Sequence, residues 1–286
     1  LGACGTAMAV PGLYALTLNE RLIAETFLFD SLVVLGVTAI LALACWGKQV
    51  RIASGRELAT LLGAYLIVPA FCALPFGALI PSLTFSGAYF EMASALTTTG
   101  ATLFEDPTSL ALPLHLWRSI VAWLGGFMIL AAALAIMEPL NIGGFEVRST
   151  IQGARLSGTS AFGGAASDLR LARVVNVLAP FYCMLTACLT LALLILGDPG
   201  LVAVTHAMAI LSTSGISPIG GLEHAQSGIV GEAVMLVFLA TAFTHHAYPR
   251  QSRQYNRRAI LMDPELHLAS MLIIGVTGLL FLRHFV

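Results

Sequence analysis

The sequence predicts an all-α polytopic membrane protein built on a duplicated unit, and three observations lead to that prediction. The first is composition: 58% of the 286 residues are hydrophobic and only 10% are charged, whereas soluble domains have about 25% charged residues. Mean hydropathy is +0.88, which implies more apolar surface than a soluble fold can remove from water. The second observation is a series of long apolar runs, and the third is an internal repeat. A soluble enzyme is incompatible with this composition.

The apolar runs predict the membrane spans. A helix needs about 20 apolar residues to cross the hydrocarbon core. Two shorter apolar segments, 85–96 and 200–211, cannot span, and each is followed at once by Thr, Ser and Gly. We expect each to be a half-length helix that enters and leaves at the same face, since irregular backbone at membrane depth is tolerated where it is buried in protein or lines an aqueous cavity. Seven runs reach or approach the spanning length: 1–18, 27–46, 59–80, 113–137, 171–196, 228–248 and 265–286.

The distribution of lysine and arginine predicts the orientation. Loops 47–58, 138–173 and 249–264 contain 11 of the 14 basic residues, and all three lie on one side if the spans alternate. Such loops are cytoplasmic in most membrane proteins, so both short segments enter from outside. The same loops could contact anionic lipid or a soluble partner. The formal net charge of −1 gives no reason to expect nucleic acid as a partner.

An internal repeat appears at an offset of 115 residues. Residues 94–102, SALTTTGAT, align with residues 209–217, AILSTSGIS, and the flanking spans align at the same offset. The predicted unit is therefore a span, a short re-entrant helix, a hydroxyl-rich Gly turn and a second span. The predicted organisation is an N-terminal transmembrane hairpin at 1–46, a first repeat at 59–145, a second repeat at 171–252 and the first helix of an incomplete third repeat at 264–286.

The chemistry of the two turns indicates cation binding. A dehydrated alkali cation needs a cage of oxygens, which potassium-selective filters supply as rings of backbone carbonyls. Glycine allows the backbone conformations that such rings require, and the short helices direct their negative C-terminal ends toward the turns. A pair of ordinary Thr/Gly turns is the alternative. The expected ion-binding residues are Thr97, Thr98, Thr99, Gly100, Ala101, Ser212, Thr213, Ser214, Gly215 and Ile216.

Two charged residues at membrane depth predict a structural brace for the first turn. Glu91 lies in the first short helix and Arg118 lies early in the next span. Isolated charges at that depth are costly and usually pair, so we expect a Glu91–Arg118 salt bridge; the alternative is that each side chain reaches the outer interface independently. His206 and Ala233 occupy the equivalent positions of the second repeat. We therefore expect no second brace, and we expect His206 to pack between helices or lie at the interface.

Three further residue pairs allow structural interpretations. Glu105 and Asp106 follow the first turn and could concentrate cations at its mouth, or form an ordinary solvated loop. Gly125-Gly126 predicts close helix packing. His245-His246 has no Cys or carboxylate neighbour to complete a metal site, so we expect no transition-metal site and no cofactor in this chain.

Several local strings are typical of a known family. They are Phe90-Glu91 leading into the first turn, Arg118 followed by WLGGFMI at 123–129, Pro139 with Ile142-Gly143-Gly144, and Asp263-Pro264-Glu265. These strings resemble the membrane subunits of the Trk/Ktr/HKT potassium transporter superfamily, and among them the bacterial TrkH type. The N-terminal hairpin also resembles the TrkH type rather than the Ktr type.

The resemblance implies a function and an architecture. Four span–dip–span repeats in one chain would surround a single potassium pathway in a potassium-channel-like fold, so this chain, as the N-terminal half, would supply two of four filter segments. The implied activity is K⁺ uptake across the bacterial cytoplasmic (inner) membrane. The implied partners are a TrkA-like nucleotide-binding cytoplasmic subunit, membrane lipid and a second copy in a homodimer. The alternative is a truncated, non-conducting scaffold or assembly subunit that needs a companion chain. An intramembrane enzyme is not expected, because no Ser/His/Asp or HExxH constellation is present.

Overall fold

The computed structural model describes residues 1–47, 54–134 and 164–243, together with isolated positions between 268 and 276. Over those residues the chain is all-helical and contains no β-strand, as the composition predicts. Short 3₁₀ turns occur at Pro107–Ser109 and Leu222–His224. The α-helices are α1 (Gly2–Thr17), α2 (Arg21–Cys45), α3 (Ser54–Cys72), α4 (Leu74–Leu79), α5 (Phe85–Leu96), α6 (Leu112–Ala132), α7 (Gly164–Ile195), α8 (Gly200–Ser212) and α9 (Gly228–Phe243).

The described part of the chain contains four helical stretches that are long and apolar enough to cross a membrane. α1 and α9 are apolar but shorter, with 16 residues each. The predicted apolar run begins at residue 27, but α2 begins at Arg21. The helix includes polar residues before that run, which a search for apolar residues leaves out. The four stretches are Arg21–Cys45, Ala59–Leu79, Leu112–Ala132 and Leu171–Ile195.

Some predicted features lie outside the described residues. These are the middle of the first basic loop, the second basic loop as far as residue 163, the third basic loop, most of the last predicted span, and three local strings: Pro139 with Ile142-Gly143-Gly144, His245-His246 and Asp263-Pro264-Glu265.

Helices α1 and α2 form an antiparallel pair in which glycines allow close approach. A Cβ atom added at Gly5 would lie 3.0 Å from Leu35, and one added at Gly12 would lie 3.2 Å from Phe27. Ser31 donates a hydrogen bond of 2.7 Å to the buried Gly5 carbonyl, which satisfies the hydroxyl within the pair. This hairpin packs against α4 and α6 through its buried face.

Helices α3 and α4 form a single stretch that is interrupted at Ala73. Pro75 follows directly in the first turn of α4 and has no N–H to donate, so the hydrogen-bond ladder is broken there. Trp117 of α6 donates its indole N–H to the Cys72 carbonyl at 2.9 Å and meets Phe27 edge to face, with ring centroids 6.1 Å apart. The interruption, α2 and α6 therefore share one core.

The short helices α5 and α8 match the two predicted half-length segments and have 12 and 13 residues. α5 begins after Thr84, whose hydroxyl accepts a hydrogen bond from the Gly87 N–H at 3.3 Å, as expected of an N-cap. α5 packs against α3 and α6, and α8 packs against α6, α7 and α9. Helix α6 therefore contacts both short helices and positions the two segments that follow them.

Candidate functional site

The two segments that follow α5 and α8, residues 97–101 and 212–216, have left-handed residues at equivalent positions. Thr98 and Thr213 have φ of 56° and 55°, and Gly100 and Gly215 have φ of 72° and 67°. A left-handed conformation costs a residue such as threonine about 1–3 kcal/mol and persists only when its surroundings enforce it. Asn19 is the third described non-glycine residue with positive φ. The strained threonines thus occur at repeat-equivalent positions, 115 residues apart.

Hydrogen bonds to the preceding helix also recur at that offset. The Thr99 N–H donates to the Ser94 carbonyl at 2.9 Å, and the Ser214 N–H donates to the Ala209 carbonyl at 2.9 Å. Both pairs are related by 115 residues. A left-handed residue followed by such a bond is the Schellman end of a helix, and it also occurs at Asn19 and Gly197. The feature that sets the two segments apart is therefore the second left-handed residue, Gly100 or Gly215, two positions later.

Hydroxyl groups link the residues within each segment. The Thr97 and Thr99 hydroxyl oxygens are 2.8 Å apart, and the Ser212 hydroxyl donates to that of Ser214 at 3.0 Å. Thr97 also donates to the Ala93 carbonyl at 2.7 Å. These bonds fix the start of each segment to its helix, so the hydroxyls act partly as structural ties.

The two segments contact each other directly. A Cβ atom added at Gly100 would lie 2.0 Å from the Ser214 carbonyl oxygen, so only glycine allows this approach of the two backbones. Ser214 and Ile216 are buried, with 4% exposure each, and Ile216 packs into the main core. The first segment is more open: Thr97, Thr99 and Ala101 are exposed, and Thr98 and Gly100 are half-buried. In the second segment Ser212 is buried, whereas Thr213 and Gly215 are exposed.

Helix α6 supports the starts of both segments through two adjacent glycines. A Cβ atom at Gly125 would lie 1.9 Å from the Leu96 carbonyl oxygen at the end of α5. One at Gly126 would lie 2.8 Å from the Ser212 Cβ atom at the end of α8. The close packing predicted for Gly125-Gly126 is confirmed, and its partners are the C-terminal ends of the two short helices.

Glu91 and Arg118 form an ion pair behind the first segment. Arg118 Nη2 lies 3.1 Å from Glu91 Oε2, and the two side chains are 5% and 0% exposed. Glu91 Oε1 accepts hydrogen bonds from the Thr102 hydroxyl at 2.9 Å and from the Leu103 N–H. The Arg118 guanidinium lies 5.8 Å from the centre of the Phe104 ring. The predicted Glu91–Arg118 pair is therefore present and joins α5 to α6. Its contacts with Thr102 and Leu103, which extend it to the end of the first segment, were not predicted.

His206 occupies the position of Glu91 in the second repeat. It is 1% exposed, so it packs between helices, which is one of the two alternatives expected for it. Its Nε2 atom lies 3.0 Å from the Ser217 hydroxyl, and Nδ1 has no hydrogen-bond partner among the described residues. With Ala233 at the position of Arg118 the ion pair does not recur, as expected, but a hydrogen bond from the short helix to the end of its segment does.

Asp198 and Ser227 form a buried link in the second repeat that the sequence reasoning missed. Asp198 Oδ1 accepts from the Ser227 N–H and Oδ2 accepts from its hydroxyl, both at 2.8 Å. The two residues are 4% and 8% exposed. Ser227 immediately precedes α9, so the link ties the α7–α8 turn to the start of α9. The signal available in the sequence was a carboxylate beside Gly and Pro between two apolar runs.

Glu105 and Asp106 lie in the loop after the first segment, where both are exposed. Asp106 Oδ1 accepts hydrogen bonds from the Thr108 hydroxyl at 2.7 Å and from its N–H at 2.9 Å. These bonds lower the pKa of Asp106 below its ordinary value, the side-chain hydrogen bond being the larger cause. Asp106 therefore caps the 3₁₀ turn at Pro107–Ser109, which favours the structural interpretation of this residue.

No transition-metal cluster is evident in the described ranges: no group of three or more His, Cys, Asp or Glu side chains there is arranged to hold a metal ion. His245 and His246 lie outside these ranges.

Comparison with known families gives one match that covers most of the chain. Residues 30–240 match the TrkH family, described as cation transport proteins. The chain is 27% identical over 236 residues to the Trk system potassium uptake protein TrkI of Halomonas elongata. This alignment covers 82% of this chain and 45% of the relative. It is 28% identical over 214 residues to the Trk system potassium uptake protein TrkH of Salmonella typhimurium, covering 73% of this chain and 42% of the relative.

A solved structure has a similar fold. The crystal structure of the potassium transporter TrkH from Vibrio parahaemolyticus aligns with a TM-score of 0.76 and 24% sequence identity, over 99% of this chain and 57% of that chain. The all-helical fold of this chain is therefore the fold found in part of that structure. The chain spans about half the length of the curated relatives it matches.

Proposed function

The chain belongs to the TrkH family of cation transport proteins, and we propose that it supplies two of four oxygen-lined segments of a potassium uptake pathway. The segments are residues 97–101 and 212–216. The pathway would carry dehydrated K⁺ through stacked oxygen sites, and the membrane potential would drive it with about 2.3 kcal/mol per charge per 100 mV.

The observation that carries the proposal is the shared backbone of the two segments. Left-handed residues at the second and fourth positions of each segment change the direction of successive peptide groups. A carbonyl-lined cation site requires consecutive carbonyl oxygens that face one side, and left-handed residues within a segment make that arrangement possible. Direct contact of Gly100 with the Ser214 carbonyl supports a common pathway for both segments.

The short helices support the same function electrostatically. α5 ends at Leu96 and α8 ends at Ser212, so the C-terminal end of each helix directly precedes its segment. That end has a partial negative charge, which favours a cation nearby. The described residues of both segments have no ionised side chain, so the cation would be stabilised by dipoles and hydroxyls alone.

Two further parts of the proposal depend on the family. The described residues include four helical stretches that are long and apolar enough to cross a membrane, and the relatives include Trk system potassium uptake proteins. Both observations support a location in the bacterial cytoplasmic membrane. We also propose a TrkA-like nucleotide-binding subunit at the cytoplasmic loops and a homodimeric natural protein, with surrounding lipid as the other contact. These partners are assigned by the family alone.

Substitution of Gly100 tests the proposed function. The natural gene that encodes this chain would be expressed in a bacterium that lacks its own potassium uptake systems, and growth and ⁸⁶Rb⁺ uptake would be measured at low K⁺. Gly100→Ser should abolish the preference for K⁺ over Na⁺, because its side chain meets the Ser214 carbonyl and its φ of 72° disfavours any residue with a Cβ.

Gly197→Ser is the matched control. Gly197 also has positive φ, 103°, but no atom of the described residues lies within 4 Å of its Cβ position. It lies in the turn before α8, outside both segments. Its variant should keep the K⁺ preference. An unchanged K⁺ over Na⁺ preference in Gly100→Ser would contradict the assignment of the segments, and absence of uptake by the unaltered protein would favour the scaffold function instead.

A further inference from the structure

The second segment has a support on α8 that corresponds in position to the support that Glu91 gives the first. Glu91 accepts the Thr102 hydroxyl at 2.9 Å, and His206 meets the Ser217 hydroxyl at 3.0 Å. His206 follows Glu91 by 115 residues and Ser217 follows Thr102 by the same number. The two helices thus hold the far ends of their segments at equivalent points with different chemical groups.

The local turn beyond each anchored hydroxyl is also shared. The Phe104 N–H donates to the Thr102 hydroxyl at 3.1 Å, and the Ile219 N–H donates to the Ser217 hydroxyl at 3.3 Å. Each hydroxyl therefore closes a small turn at the end of its segment while the short helix holds it. This double role explains why a hydroxyl residue is present at both positions.

The donors around Ser217 define what His206 contributes. The Ser217 oxygen accepts from the Ile219 N–H at 3.3 Å and from the Gly221 N–H at 3.2 Å, which occupies its two lone pairs. Its hydrogen is then free to donate, and His206 Nε2 at 3.0 Å is nearer than the Gly221 carbonyl at 3.4 Å. His206 Nε2 is therefore placed as the acceptor in this bond, which puts the ring hydrogen of a neutral imidazole on Nδ1, where the described residues provide no acceptor.

We propose that His206 is a positioning residue for K⁺ selectivity, which fixes the end of segment 212–216 through the Ser217 hydroxyl. Burial to 1% exposure prevents water from replacing the imidazole. Without the bond, the segment would be fixed to α8 only at its start, where Ser214 bonds to Ala209. This inference depends on the proposed function, since it assigns a selectivity role within it.

The test compares variants of His206 and Ser217 in the natural protein, with K⁺ and Na⁺ uptake measured in parallel. His206→Ala should lower the K⁺ over Na⁺ preference roughly fivefold, the change in population that loss of one neutral hydrogen bond produces. Ser217→Ala should cause at least as large a loss, because it also removes the acceptor of the Ile219 and Gly221 N–H groups. The double variant should be no worse than Ser217→Ala, because both lack the same bond to His206. His206→Gln should restore most of the preference, because its amide oxygen can accept from Ser217.

His115→Ala is the matched control. His115 is equally buried, at 1% exposure, and its Nε2 atom bonds to the Pro107 carbonyl at 2.7 Å in the outer loop, outside both segments. Its variant should retain the K⁺ preference even if the amount of folded protein falls. Protein in the membrane is quantified for every variant, and uptake is normalised to it.

Specific results would overturn the inference. A wild-type K⁺ preference in His206→Ala or in Ser217→Ala would do so, as would strict additivity in the double variant. If His206→Ala does not reach the membrane, Ser217→Ala and His206→Gln decide the question alone. Failure of the proposed function is distinguishable, because then the unaltered protein shows no K⁺ preference and Gly100→Ser has no effect.

Discussion

Replacing Gly125 with alanine tests whether the end of α5 depends on its close approach to α6. The added Cβ atom would lie 1.9 Å from the Leu96 carbonyl oxygen and 2.7 Å from the Leu96 carbonyl carbon. Both atoms belong to the backbone, so no side-chain rotation relieves the clash. Ordinary contact begins at 3.4 Å, which requires α6 and the end of α5 to separate by about 1.5 Å.

The expected magnitude follows from two opposing effects. Overpacking of a core costs about 1–3 kcal/mol, whereas exchange of Gly for Ala inside a helix gains about 1 kcal/mol in helix propensity. We therefore expect Gly125→Ala to lower the free energy of unfolding by up to about 2 kcal/mol. Because Leu96 directly precedes Thr97, the displacement should also reach the first segment and lower K⁺ uptake.

The assay combines thermal unfolding of the purified natural protein in detergent with ⁸⁶Rb⁺ uptake in cells. Gly36→Ala and Gly63→Ala are the controls, since both glycines lie within apolar helices and, in the described part of the chain, no atom lies within 4 Å of their Cβ positions. Each control should be neutral or slightly stabilising and should leave uptake unchanged. The reasoning is refuted if Gly125→Ala unfolds at the same temperature as the controls and transports K⁺ as they do.

Two further predictions concern the buried polar links. Glu91→Gln and Arg118→Gln should each lower the free energy of unfolding by about 3–5 kcal/mol, and with it the thermal midpoint, because each leaves one buried charge without its partner. The double variant should lose less than the sum of the two single losses. Strict additivity in unfolding and uptake would contradict the pair. Ser227→Ala should cost about 1–3 kcal/mol, measured in the same unfolding assay, because one Asp198 oxygen loses its donor. Asp198→Asn, which keeps an acceptor for the Ser227 N–H, should be milder than Asp198→Ala, and equal losses would argue against these hydrogen bonds.

The helical fold and the two short helices were predictable because both depend on local signals in the sequence. Apolar runs predicted the spanning helices, and the Thr/Ser/Gly strings predicted where α5 and α8 end. The start of α2 was predicted less well, since hydropathy falls at Arg21 and Glu25 although the helix continues through them. Polarity near a membrane surface ends an apolar run without ending a helix.

The partners of buried polar groups were only partly predictable. Glu91 and Arg118 could be paired from the sequence because opposite charges at membrane depth need each other. His206 and Ser217 could not, because a neutral histidine and a serine have many alternative partners and only the path of the loop brings them together. The offset of 115 residues relates Glu91 to His206 and Thr102 to Ser217. It predicts the His206–Ser217 contact only once the structure shows that Glu91 bonds to Thr102 as well as to Arg118.

The two repeats obtain the same segment geometry from unequal chemistry. The first segment is held by a charged pair that joins α5 to α6. The second is held by a hydrogen bond between uncharged groups, His206 of α8 and Ser217. The second repeat instead ties its neighbouring helix through Asp198 and Ser227. Because α6 supports the starts of both segments through adjacent glycines, a change in that helix reaches both, while a change at Glu91 or His206 should act first on its own segment. A substitution of Gly125 should therefore lower K⁺ selectivity more than the loss of either Glu91 or His206 alone.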